Sequence, residues 1–280
     1  MTIYEVFFSP PALALWGLCI GSFLNVVVFR LPRMIERQWQ LEASEILQLP
    51  APDIAAVSLA APPSRCPACG QAIAWYQNIP LVSWLWLRGR CAACQARISA
   101  RYPLVETATA ALFVLIGLRV GMQPLALLWC GFAATLLALA LIDLDTRLLP
   151  DDMVLPLLWA GIIAAGLGWI PVSLGASVAG AVAGYLSLWV VAKLFWILRK
   201  KEGMGHGDFK LFAALGAWFG WQLLPSIILL SSGVGAIVGV AMMLGKGRGA
   251  DTQIPFGPYL AGGGLAAFFF GAARTRLWMA

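Results

Sequence analysis

Eight stretches of this chain are apolar over helix-forming lengths: residues 8–29, 104–121, 124–142, 153–170, 172–198, 209–222, 224–245 and 255–273. A helix needs about 20 mostly apolar residues to cross the hydrocarbon core of a bilayer, and the sixth run is the shortest of the eight. Backbone in lipid must satisfy its own hydrogen bonds, which leaves helices as the way to thread so many apolar segments through a membrane. Charged residues make up only 11% of the chain, against about a quarter in soluble domains. The expected fold class is therefore an all-α polytopic membrane protein of about eight transmembrane helices. The opening residues MTIYEVFFSP lack a basic stretch, and no small-residue cleavage site follows the first apolar run. Residues 1–29 are thus expected to be a retained first transmembrane helix rather than a cleaved signal.

The positive charges orient the bundle. With the N-terminus outside, residues 30–103, 143–152, 199–208 and 246–254 face the cytosol and, with Lys210, hold 15 Lys/Arg. The opposite side holds Arg119, Arg274 and Arg276, and Lys193 lies near the end of the fifth run, close enough to snorkel. Cytosolic loops carry such an excess. The net charge of +6 therefore reports orientation, and no nucleic-acid partner is expected. Residues 30–103 contain no apolar run long enough to span, so they form a cytosolic domain inserted between helices one and two. Residues 104–280 form the remaining seven-helix domain. The Gly235–Gly239 spacing in the seventh run matches a small-residue packing face between helices.

The insert carries Cys66-Pro-Ala-Cys69 and, after 21 residues, Cys91-Ala-Ala-Cys94. Two such knuckles can close four thiolates into the tetrahedron that structural zinc prefers. The insert has little apolar material for a core, so a metal would supply folding energy it lacks. Two disulfides are the rival reading, disfavoured in a reducing compartment; a redox CxxC is another. Four protein ligands leave no open position, so the zinc is expected to be structural. Cys19 and Cys130 stand alone in apolar runs and are given no role.

Acidic residues are few, 13 in all, and several gather where apolar runs meet the cytosol. The third run ends in Asp143-Leu144-Asp145, followed by Asp151 and Asp152; the sixth begins after Gly203-Met204-Gly205-His206-Gly207-Asp208. Both places lie on the same side by the count of spans. Two carboxylates brought together can share a proton, one activating water while the other polarises a carbonyl. Glycines before Asp208 would let backbone approach a substrate closely. The plainer reading is that these are solvated helix-end charges, with Asp208 an N-cap. His206 is the only histidine, which excludes a His-rich metal site, and no GxSxG elbow occurs.

At these residues the chain resembles the bifunctional type IV prepilin peptidases, leader peptidase/N-methyltransferases of the GxGD class of membrane aspartic proteases. The resemblance covers nearly the full length. It rests on Gly21-Ser22-Phe23-Leu24-Asn25 with Arg30-Leu31-Pro32, the paired knuckles, Arg101-Tyr102-Pro103-Leu104-Val105-Glu106, the segments from Asp143 to Asp151 and from Gly203 to Lys210, and Pro255-Phe256-Gly257-Pro258. It implies a membrane aspartic endopeptidase with Asp143 and Asp208 as the catalytic pair; Asp145 is the rival for the first place. It implies type IV prepilins or pseudopilins as substrates, cleaved after a glycine at the cytosolic face of a bacterial inner membrane. It also implies N-methylation of the new terminus with S-adenosylmethionine, for which no dinucleotide-type glycine loop is present; Asn25, Glu36 and Glu106 are candidate donor contacts. Glu106, Asp151 and Asp152 are candidates to receive a basic leader.

Two other classes fit less well. A transporter would carry its polar residues near the midplane, often on broken helices in repeated halves, whereas these acids cluster at one surface. A presenilin-like protease would share the GxGD chemistry without the knuckles.

Overall fold

The computed structural model describes residues 6–50, 52–201, 203–246 and 255–278. Residues 1–5 of the opening segment, and 247–254 of the last cytosolic one, lie outside them. Among the described residues there is no strand ladder, only two isolated bridges in the insert. The helices are α1 (Pro10–Ile46), α2 (Val82–Trp86), α3 (Arg101–Val120), α4 (Leu125–Thr146), α5 (Asp151–Gly166), α6 (Leu174–Arg199), α7 (His206–Phe219), α8 (Leu224–Lys246) and α9 (Gly257–Trp278), with a 3-10 turn at Trp75–Asn78. Each of the eight apolar runs is helical. Among the described residues five helices, α1, α3, α4, α6 and α8, are long and apolar enough to cross a membrane; α5 and α7, of 16 and 14 residues, are shorter.

The chain divides into two compact units, residues 1–134 and 135–280. In the first, α1 packs along α3, burying Leu13, Leu24 and Val28 with Val105, Phe113 and Ile116. α1 continues well past its apolar run, through Pro32 to Ile46. Residues 33–46 are rich in Glu, Gln, Leu, Arg and Ala, strong helix formers that carry the helix on after hydropathy falls. Arg30 is buried, and its guanidinium donates to the carbonyls of Ser58, Leu59 and Pro62 at 2.9, 3.5 and 2.7 Å. One charged group so fastens the loop that leads to the knuckles.

In the second unit α7 is the centre. Its residues from Asp208 to Phe219, Lys210 excepted, are buried, and α5, α6, α8 and α9 pack on it. This explains how so short a helix belongs to the bundle: neighbours, not lipid, surround it. Gly180 of α6 and Gly216 of α7 set backbone against backbone, with no room for a Cβ on either. Ser177 Oγ donates to the Ala217 carbonyl at 2.7 Å and Trp218 Nε1 to that of Leu157 at 2.8 Å, closing α6 and α5 onto α7. Gly235 of α8 meets the ring of Tyr259 in α9, a helix-packing contact as its spacing led one to expect.

Candidate functional site: an aspartate pair and a cysteine centre

α4 is buried along most of its length and keeps that face to its last turns: Leu136, Leu139 and Ile142 are fully enclosed, and Asp143 is 5% exposed. Leu144 and Asp145 turn outward. The chain leaves the helix through Arg147 at φ 58, whose N–H donates to the Asp143 carbonyl. Helical phase therefore separates two aspartates that stand two positions apart in sequence. The carboxylate of Asp143 is held by Gly257, the first residue of α9, whose N–H donates to Oδ2 at 2.9 Å. First-turn amides have no partner within their own helix and carry the positive end of its dipole, so they suit a carboxylate.

Asp208 lies in the first turn of α7, 8% exposed. It is not the cap: Gly205 is, and no side chain caps the helix. Asp208 Oδ1 is buried without a hydrogen-bond partner, and the carboxylate is close enough to Asp143 for the two charges to act on one another. Leu149 packs between the segments. A Cβ on Gly207 would fall 2.7 Å from Leu149 Cβ, and one on Gly257 would fall 3.2 Å from Leu149 Cδ2 and 2.7 Å from Asp143 Oδ2. The two glycines thus let the GxGD turn and the start of α9 close on one leucine and one carboxylate. Leu149 and the Gly257 amide were not singled out from sequence; the Pro-Phe-Gly-Pro opening of the last run was the available signal.

Around the pair, Lys210 Nζ holds both Asp151 oxygens at 2.8 and 2.7 Å. Asp152 is exposed at the start of α5, and His206 is exposed with its ring beside Phe209. In the first unit, Glu106 is buried and accepts the Leu81 N–H at 2.7 Å, while Asn25 Nδ2 donates to the carbonyls of Gly21 and Tyr102 at 3.2 Å. Of the acids considered for a basic leader, Asp151 and Glu106 are therefore engaged already.

The knuckles bring their four Sγ atoms within 4.8 Å of one another. Each is a tight turn: Gly70 N–H donates to the Cys66 carbonyl and Gln95 N–H to that of Cys91, with Gly70 at φ 70 and Gln95 at φ 60. Cys66 and Cys94 sulfurs stand 3.8 Å apart, the separation expected when two thiolates sit about 2.3 Å from one tetrahedral zinc. All four are free thiols. Turn amides of Cys94 and Ala93 hold the Cys91 thiol down to about 6, while Cys69 and the other crowded thiols push Cys94 up to about 11, so a cation among the four would be needed to hold them all as thiolates. The donor set fits a structural zinc.

Asp143 and Asp208 are thus two buried carboxylates on either side of Leu149, one of them with an oxygen that has no partner. Comparison with known proteins gives the chain its family. Residues 15–120 match the bacterial peptidase A24 N-terminal domain and residues 130–240 match the type IV leader peptidase family. A prepilin leader peptidase/N-methyltransferase of Pseudomonas aeruginosa is 53% identical over 266 residues, 95% of this chain and 91% of the relative. Those of Pseudomonas putida and Aeromonas salmonicida are 52% and 51% identical, over 91% and 95% of this chain and 88% and 92% of theirs. The chain belongs to the type IV leader peptidase family. No solved structure matches it. Within this chain, the N-terminal match contains all four cysteines, and the family match contains both Asp143 and Asp208.

Proposed function

We propose that this protein removes the leader of type IV prepilins or pseudopilins with Asp143 and Asp208, and then methylates the new N-terminal amine. The observation that carries the reading is the burial of these two aspartates in one cluster, inside a chain half identical to prepilin leader peptidase/N-methyltransferases. One carboxylate takes a proton from water as its oxygen attacks the scissile carbonyl carbon. The other, protonated, donates to the carbonyl oxygen. The tetrahedral intermediate collapses as the peptide C–N bond breaks, and the leaving amine takes up a proton. The pair titrates as a unit, so the two roles belong to the dyad.

The proposed organisation keeps residues 1–29 as the first membrane helix, a zinc module within 30–103 and the peptidase chemistry within 104–280. It puts the N-terminus in the periplasm of a bacterial inner membrane and the zinc and aspartate sites at the cytosolic face, which the 15-to-3 distribution of Lys and Arg supports. Cys66, Cys69, Cys91 and Cys94 would hold the zinc. S-adenosylmethionine would supply an electrophilic methyl group to the amine. Asn25 and Glu106 are used in joining α1, α3 and the insert, and Glu36 is exposed, so none of the three has a mark of a donor site.

Purified protein in lipid, given a prepilin and methyl-labelled S-adenosylmethionine, tests the reading. Leader loss by mass and label on the mature chain are expected. Intact prepilin contradicts the peptidase, and cleaved but unlabelled pilin contradicts the methyltransferase.

A further inference from the structure

The knuckle module turns an apolar face outward. Trp75, Tyr76, Ile79, Val82, Leu85 and Trp86 are between 40% and 82% exposed. They come from the 3-10 turn Trp75–Asn78, from Ile79 just after it and from α2, and the turn and α2 pack on one another. In α2, Val82, Leu85 and Trp86 stand at i, i+3 and i+4 and so share one side. The other side faces the module: Ser83 is buried and donates to the Ile79 carbonyl at 2.7 Å, and Trp84 Nε1 reaches the Ile98 carbonyl at 3.4 Å. The element is amphipathic with its apolar side outward, the reverse of a domain built for water.

Its height along the membrane helices is set by one bond. The Leu81 N–H, which opens α2, donates to Glu106 Oε2 at 2.7 Å. Glu106 is the sixth residue of α3, about 7.5 Å along it from its start. The 20 residues of α3 span about 30 Å, the thickness of the hydrocarbon core. The apolar run of α3 opens only at residue 104, so a group bonded to Glu106 meets that run about 3 Å from its start. Leu81 adopts φ 60, ψ −47 to make the bond, a conformation costly for a residue with a Cβ. Apart from Glu106, whose carboxylate is taken up by the Leu81 N–H, the charge in this stretch of sequence has one sign. From residue 54 to residue 105 the chain holds Arg65, Arg88, Arg90, Arg97 and Arg101 and no Asp or Glu.

We propose that the face from Trp75 to Trp86 is an interfacial anchor that lies in the headgroup region of an anionic bilayer. Its Trp and Tyr rings sit at the depth where amphipathic aromatics accumulate. Its arginines face lipid phosphate, as basic segments beside a membrane helix do. The inference stands apart from the peptidase reading, because it uses only the first unit and its charges.

The test uses full-length, zinc-loaded protein in nanodiscs of phosphatidylglycerol and phosphatidylethanolamine, with a photoreactive group in the upper acyl chain, and maps adducts by mass spectrometry. Adducts within residues 75–86 are expected, as well as on α3. In the double variant L85E/W86E they should fall about tenfold, with α3 labelling and zinc content unchanged. Discs of phosphatidylcholine alone should label the segment less. Labelling of α3 with none at 75–86 overturns the proposal. So does a segment that crosslinks a photoreactive prepilin but no lipid in discs without it, which would make the face a protein-docking surface. Equal labelling in phosphatidylcholine discs overturns the role given to the arginines.

Discussion

The Gly257 N–H at the start of α9 holds Asp143 Oδ2 at 2.9 Å, joining residues 114 positions apart in the chain. This contact ties the third apolar run to the last and fixes one carboxylate of the proposed dyad. It depends on the absence of a side chain, because a Cβ at 257 would intrude to 2.7 Å from that oxygen.

Gly257→Ala should therefore displace the Asp143 carboxylate without emptying any core position. A misplacement on the scale of 1 Å costs a reacting group about 100-fold in rate, so kcat for leader cleavage should fall about that much, with KM little changed. Cleavage kinetics with purified variant in lipid check it. A normal kcat would mean that the Gly257 amide does not position the reacting group.

The Gly180–Gly216 contact should govern stability. Gly216→Leu forces α6 and α7 apart at a backbone-on-backbone crossing, and overpacking of this kind costs about 3 kcal/mol. Thermal unfolding in a fixed detergent should show a clear drop in midpoint. An unchanged midpoint would contradict the packing described here.

Lys210 and Asp151 make an ion pair with side chains 31% and 51% exposed. Pairs so open to solvent are worth about 1 kcal/mol or less, so Lys210→Ala should leave stability almost unchanged. Asp151→Asn should likewise leave KM for prepilin within about twofold, since the carboxylate is already occupied by lysine. A large rise in KM would return Asp151 to the role of leader receptor.

The cysteine centre predicts about one zinc per chain by elemental analysis. Cys66→Ser or Cys94→Ser should lower that content sharply and make residues 50–100 sensitive to protease, because binding and folding of a small metal module are linked. Four oxidised cysteines and no metal would favour the disulfide reading instead.

Much of this structure could be read in the sequence, for definite reasons. Apolar runs became helices because lipid or a buried core gives an apolar backbone no alternative, and the CxxC pairs close on one another because their turns are local. What escaped was set by packing phase or by distant contacts. Asp143 and Asp145 both follow the same apolar run, and only the buried face of α4, carried down through Leu139 and Ile142, turns the first inward. The Gly257 amide has no side chain to betray its use. α1 outlasts its apolar run because helix propensity in residues 33–46 does not track hydropathy. Glu106 stands in the sequence as a candidate for the methyl donor or the basic leader, but it is buried and bonded to Leu81 across 25 residues.

The most direct measurement compares prepilin cleavage by wild type, Asp143→Asn, Asp145→Asn and Asp208→Asn, each purified in lipid and shown to keep its helical content. Cleavage should be lost in the Asp143 and Asp208 variants and kept in the Asp145 variant. Cleavage that survives in Asp143→Asn or Asp208→Asn would contradict the two-aspartate mechanism.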